Sequence, residues 1–285
     1  MNRRRLSGRQ VVAGLRCGMR YLSFLLVFAA MFVGAGPAAA REGAPGIARQ
    51  VLSYDLPDGG TAEGVLLTPE GLSATGPAVL VIPEWWGRTA YPESRGRSLA
   101  QQGYRVLIAD MYGGARTTDD PKQAQAWAGE AKSRGLAKLA SAALDTLKRQ
   151  QGVDADRIGV IGFCFGGSTV ADLVRNGAPI AAGVSFHGGL NGDLAPDASE
   201  KAYPPLMLAH GGADPLVSPA DFAAYVEGAV QAGVPLTVLN FPAAVHAFTN
   251  PEADQAGIKG VAYDQEAAET SIQMMNSFLA AALRR

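Results

Sequence analysis

The run Gly162-Phe163-Cys164-Phe165-Gly166-Gly167 limits what this chain can fold into more than any other stretch. An apolar, β-type run, Arg157-Ile158-Gly159-Val160-Ile161, leads into it, and a helix-compatible run from Ser168 to Asn176 leaves it. Gly-x-nucleophile-x-Gly between a strand and a helix reads as a nucleophile elbow. The central residue of such a turn is strained and faces solvent, and the glycines two before and two after let the strand and helix backbones close on each other. Here that residue is Cys164 rather than serine. The bland alternative is a packing cysteine, since free cysteine is among the most buried residue types. A phosphate loop is excluded because no Gly-Lys-Ser/Thr follows and the glycines are not spaced as a dinucleotide fingerprint.

Around the elbow, strand and helix patterns alternate. Gln50 to Asp55 and Glu63 to Thr68 read as strands around the turn Pro57-Asp58-Gly59-Gly60, a hairpin signal. Continuous apolar runs at Ala78–Ile82, Arg105–Ala109, Arg157–Ile161, Ile180–Phe186, Pro205–Ala209 and Pro235–Asn240 suit strands covered on both faces. Helices are expected over Ser94–Gln102, Pro121 to about Gln150 with a break near Gly135, Pro219–Ala232 and Asp264–Leu283. The alternation predicts an α/β fold: a mainly parallel, twisted sheet flanked by helices on both faces, with an antiparallel hairpin at its N-terminal edge. Chemistry in such sheets gathers at the carboxyl ends of the strands, where Cys164 lies.

Residues 1–40 read differently from the rest. Six arginines and no acid precede an apolar stretch from Tyr21 to about Gly34, which ends in Pro37-Ala38-Ala39-Ala40. Basic segment, short apolar core and Ala-x-Ala is the order of a secretory signal peptide, and the core is shorter than a membrane span of ~18 residues. An uncleaved anchor is the alternative. Cleavage leaves one α/β domain over residues 41–285, exported to the periplasm or medium, with no lasting membrane association. Removing six of the 25 Lys+Arg leaves 19 against 26 Asp+Glu, a net charge of −7, which gives no reason to bind nucleic acid or anionic membrane. It also removes Cys17, so Cys164 becomes the sole thiol and no internal disulfide is expected. The three histidines are too scattered for a metal site, no cofactor is implied, and a monomer is expected.

A cysteine nucleophile needs a base, and the base needs an orienting acid. His187, His210 and His246 each follow an apolar strand, so position does not choose among them. Chain order does: in α/β-hydrolases the nucleophile comes first, then the acid, then the histidine. Asp214, in His210-Gly211-Gly212-Ala213-Asp214-Pro215, follows a strand through a glycine turn, and only His246 lies downstream of it. Asp172 sits one turn along the helix after the elbow. Asp193 and Asp197 fall in a Gly/Pro/Ala loop, and Asp221 opens a helix as a cap. His187 and His210 are expected to satisfy loop backbone near the site. The backbone N–H of Phe165 and that of Trp85, in the loop after the third strand, are the candidate oxyanion donors. Glu84, in the same loop, is a candidate for controlling the protonation of Cys164.

These residues carry a resemblance. Pro83-Glu84-Trp85-Trp86-Gly87, the elbow, His210-Gly211-Gly212-Ala213-Asp214 and His246-Ala247-Phe248 together resemble the dienelactone hydrolases, or carboxymethylenebutenolidases, over roughly Val51 to Leu283. The resemblance implies an α/β-hydrolase fold and a Cys-His-Asp triad acting on an activated ester or lactone through an acyl-enzyme. It also implies a resting thiol hydrogen-bonded to Glu84, whose carboxylate takes the proton when substrate binds. The dienelactone-cleaving members carry arginine four residues after the histidine. This chain has Asn250 there, an amide that cannot make a bidentate, charge-assisted clamp. Asn250 and Trp86 are candidate substrate contacts, while Arg88, Arg95, Arg97 and Arg116 are expected to be solvated at the surface. Two other functions compete with hydrolysis of a small ester or lactone: a binding protein on the same scaffold, and a thiol redox protein, the latter opposed by the lack of a resolving cysteine.

Overall fold

The computed structural model describes residues 46–190 and 202–284. The segment 1–40 read as a signal peptide, and the loop acids Asp193 and Asp197, lie outside the described residues. One sheet holds eight strands: β1 (Ile47–Asp55), β2 (Thr61–Pro69), β3 (Gly76–Ile82), β4 (Arg105–Ile108), β5 (Val153–Phe163), β6 (Ala182–Phe186), β7 (Leu206–Gly211) and β8 (Leu236–Phe241). Their order is β1-β2-β4-β3-β5-β6-β7-β8. The hairpin of β1 and β2 runs in full register from Ile47↔Pro69 to Asp55↔Thr61, and β2 pairs antiparallel with β4. Every other neighbouring pair is parallel. This is the mainly parallel sheet with an antiparallel N-terminal edge that the apolar runs predict.

Among the described residues, six α-helices cover the two faces: α1 (Ala90–Ala100), α2 (Pro121–Arg134), α3 (Leu136–Lys148), α4 (Phe165–Arg175), α5 (Pro219–Gln231) and α6 (Gln265–Ala282). Alternation along a strand divides the core in two. In β3, Ala78, Leu80 and Ile82 pack with Leu139 and Leu144 of α3, Val170 and Leu173 of α4 and Tyr225 of α5. Val79 and Val81 face the other way, against Tyr91 and Leu99 of α1 and Met275 and Leu279 of α6. Residues 78–82 are completely buried, which is why the run carries no polar position.

The differences from the sequence reading are local. Helix α1 begins at Ala90 rather than Ser94, because Pro92 falls in its first turn, where its missing N–H costs nothing. The break at Gly135 is real: with φ of 95°, this glycine ends α2 and α3 starts at the next residue. Gly135 has no side chain to cap α3, and Asp172 of α4 supplies the acceptor instead, taking the Ala137 N–H at 3.0 Å. The carboxylate that the sequence places one turn from the elbow therefore serves a helix end. Asp221 sits in the first turn of α5 as expected, its N–H and carboxylate both bonded to the Ser218 hydroxyl.

Candidate active site

Strand β5 lies in the middle of the sheet, between β3 and β6. The carboxyl ends of β3, β5, β6, β7 and β8 deliver Glu84, Cys164, His187, Asp214 and His246 to one edge. At the elbow, Cys164 has φ 54° and ψ −114°, a region that costs a residue with a Cβ ~1–3 kcal/mol and persists only when its surroundings hold it. Three contacts hold it. A Cβ at position 162 would lie 2.1 Å from the Gly166 carbonyl oxygen, and one at position 166 would lie 2.2 Å from that of Ile82. Glycine at both positions lets the start of α4 press against the ends of β5 and β3. The third is the Cys164 N–H, which is shared between the Phe186 carbonyl at 3.0 Å and Nδ1 of His187 at 3.1 Å.

From the half-buried thiol a line of contacts runs inward. Cys164 Sγ lies 3.0 Å from His246 Nε2, and His246 Nδ1 lies 2.7 Å from Asp214 Oδ2. The second Asp214 oxygen accepts the Leu216 N–H at 2.8 Å. With Nδ1 against a carboxylate, the proton of neutral His246 sits on Nδ1 and Nε2 is free to take the thiol proton. Asp214 and His246 are 4% and 5% exposed, so the pair is dry. The loops carrying Asp214 and His246 brace each other, Gly212 N–H to Phe241 carbonyl and Ala213 N–H to Ala244 carbonyl. His246 bridges to Val261 on the far side. Burial works against charge on His246, but Cys164 and Asp214 outweigh it and raise the imidazole to about 10. That direction favours the protonated form of His246.

His187 does what sequence position suggests and more. Its Nδ1 accepts from the Cys164 backbone, so its proton is on Nε2, which lies 2.8 Å from the Thr249 hydroxyl. That hydroxyl is 2.7 Å from the Tyr91 hydroxyl of α1. Burial first, and then neighbouring His246, hold His187 well below its ordinary value, so it stays neutral. Its ring packs edge-on against His246 at 5.3 Å and Phe248 at 5.2 Å. Among the described residues His210 bonds no loop backbone in this way: it stacks flat on Phe222 at 4.2 Å, a correction to the expectation.

The loop after β3 makes a turn over residues 84–87, closed by the Gly87 N–H on the Glu84 carbonyl. The Trp85 carbonyl accepts the Tyr112 hydroxyl at 2.9 Å, and the Tyr112 ring lies 5.7 Å from that of Phe165. Phe165 opens α4, where backbone N–H groups have no partner within the helix. Glu84 is 2% exposed, and its Oε2 accepts from Asn250 Nδ2 at 2.9 Å. Burial pushes its carboxyl up to about 7, against the downward pull of Asn250 and of His246. The resemblance implies Glu84 as the thiol's partner. In this arrangement Sγ is paired with His246 and Glu84 with Asn250, because the amide offers the buried carboxyl a donor. Glu84, Trp85, Trp86, Cys164, His246 and Asn250 all line one cavity of about 700 Å³. Among the described residues, no group of three or more His, Cys, Asp or Glu could hold a metal ion.

A sheet in this strand order, with a strained elbow at the end of its central strand, defines an α/β-hydrolase. Within that class the chain belongs to the dienelactone hydrolase family, whose profile matches residues 62–283. Among solved structures it is similar to m3DLH, with 34% identity, a TM-score of 0.78 and coverage of 85% of this chain and all of that one. It is also similar to a dienelactone hydrolase-like promiscuous phosphotriesterase from metagenomic libraries, with 35% identity and a TM-score of 0.77 over 83% of this chain and 98% of that one. A carboxymethylenebutenolidase homolog of Homo sapiens is 31% identical over 118 residues, 40% of this chain and 47% of that protein. The chain is an ester or lactone hydrolase.

Proposed function

We propose that the chain hydrolyses a small ester or lactone through Cys164 as nucleophile, His246 as general base and acid, and Asp214 as the group that orients and charges the histidine. The observation that carries the reading is the unbroken line from Sγ through Nε2 and Nδ1 to Oδ2, at 3.0 and 2.7 Å, starting from a cysteine on a strained elbow. The thiol proton passes to Nε2 and the thiolate forms a C–S bond to the carbonyl carbon. The oxyanion is received by the N–H groups of Phe165 and Trp85. Collapse breaks the C–O bond, and the leaving alkoxide takes the proton from Nε2, giving a thioester. Water then attacks the thioester, giving its proton to Nε2. The C–S bond then breaks, the acid leaves, and the thiolate recovers the proton from Nε2. Glu84 acts beside this cycle as a second proton acceptor for the thiol, with Asn250 and Trp86 against the substrate. The same reading places the enzyme outside the cytoplasm as a monomer that begins near Arg41, without a cofactor.

A panel of p-nitrophenyl esters and lactones, run on wild type and Cys164→Ala, tests this. Stopping the reaction with acid and weighing the intact protein should show the mass of the acyl group on wild type alone. Turnover that survives Cys164→Ala, or an acyl group on another residue, would overturn the assignment.

A further inference from the structure

Carboxylates outnumber cationic groups around the cavity. At its buried end stands Glu84, and at its rim stand the exposed carboxylates of Asp119 and Glu252. Among the described residues lining it, the bases are His246, held by Asp214, and Lys122, which lies exposed on the first turn of α2. Glu252 is close enough to Glu84 to push its carboxyl upward. Between these groups the wall is apolar, made by Trp85, Trp86, Tyr91, Ile258 and Val261, with Leu216 standing 66% exposed at the rim.

Asn250 is the polar exception, and both ends of its amide are committed. Nδ2 donates to Glu84, and Oδ1 accepts the Glu252 backbone N–H at 3.0 Å. The two bonds fix which end of the amide is which. One N–H of Nδ2 remains, a neutral donor suited to a carbonyl or ether oxygen. A carboxylate on the substrate would meet Glu84 and Glu252 across a low-dielectric cavity whose buried cationic group, His246, is already paired with Asp214, and a buried charge left unpaired is strongly disfavoured.

Resting on the hydrolase reading above, we propose that this site selects esters and lactones that carry no negative charge, with Glu84 and Glu252 excluding anions and Asn250 presenting a neutral donor to the substrate. The class is uncharged substrates with an apolar acyl or alkyl body. A carboxylate-bearing lactone falls outside it.

Two p-nitrophenyl esters of adipic acid make the test, one with the far carboxyl free and one with it as the methyl ester. With the purified chain at pH 8, kcat/KM for the methyl ester should exceed that for the free acid by at least ~30-fold, the discrimination that a like charge in a partly desolvated site imposes. Glu252→Arg, on an exposed position, should cut this ratio at least ~5-fold, with the change in KM of the anionic ester. Cys164-dependent cleavage of both esters at equal rates would overturn the substrate class and leave the hydrolase standing. So would a ratio that Glu252→Arg does not move. Cleavage of neither ester above the Cys164→Ala level would overturn the hydrolase reading and this proposal with it.

Discussion

Replacing Glu84 by Gln separates the cost of burying this carboxyl from everything else around it. Glu84 titrates at about 7 in the folded chain, against an ordinary 4.5, because burial disfavours its charged form. The folded state therefore keeps a proton that the unfolded chain has already lost across this window. Stability from the retained proton is complete below about pH 4.5, falls as pH rises toward 7, and is gone above it. A gap of about 2.5 pH units at about 1.4 kcal/mol each sets the swing at roughly 3 kcal/mol. Gln has no proton to lose and keeps an oxygen for Asn250 Nδ2, so the variant escapes the swing. Between pH 4 and pH 8 the stability of Glu84→Gln should rise relative to wild type by ~3 kcal/mol, nearly all of it between pH 4.5 and pH 7. Urea unfolding at half-unit pH intervals measures this, followed by the fluorescence of Trp85, Trp86 and Trp127, the chain's three tryptophans. A difference that stays flat with pH would mean that Glu84 ionises as an ordinary surface carboxyl, and the argument from its burial would fail.

Four further outcomes are expected. Cys164→Ala, His246→Ala and Asp214→Ala should each lower kcat by at least ~10³, and double variants should do little worse than singles, because the three act as a unit; near-normal turnover by Cys164→Ala ends the nucleophile assignment. Gly166→Ala drives a methyl into the Ile82 carbonyl at 2.2 Å and should lower stability by about 2–3 kcal/mol, read from chemical denaturation, as overpacking against backbone does. Tyr112→Phe removes the hydroxyl that holds the Trp85 carbonyl and should reduce kcat about 10-fold with KM nearly unchanged, whereas equal steady-state constants would release the Trp85 loop from any role in the transition state. The exported protein should begin near Arg41 with its thiol free, and an intact mass that includes residues 1–40 would favour an anchor.

Much of the fold was readable because its signals are local. An apolar run such as Ala78–Ile82 names a doubly covered strand, and the glycine at position 135, at φ 95°, marks the break between two helices. Asp214 and His246 could be picked by elimination among three histidines and a few acids, since chain order does not depend on distance, and the structure brings their atoms to 2.7 Å. What the sequence could not give were pairings across the molecule. Asp172 caps a helix that starts 36 residues earlier, inside a bond to Ala137. His187 takes the backbone N–H of Cys164, and Glu84 finds Asn250 across 166 positions. The family pattern at position 250 pointed to a lost clamp. Only the fold shows that the asparagine holds a carboxyl instead, since nothing in the local residues says which side chain an amide will meet.

The reach of these pairings has a consequence for when reactivity can arise. The ribosome delivers the elbow cysteine first, its imidazole partner 82 residues later, and the amide that holds Glu84 later still. Contacts so far apart in sequence close late, after their loop entropy has been met by the sheet between them. A chain stopped between residues 164 and 246 carries the thiol without the imidazole that faces its sulfur. On the proposed mechanism, docking of the last strand and its following loop couples growth of the polypeptide to the arming of this sulfur, and Cys164 gains its base only once residue 246 is in place.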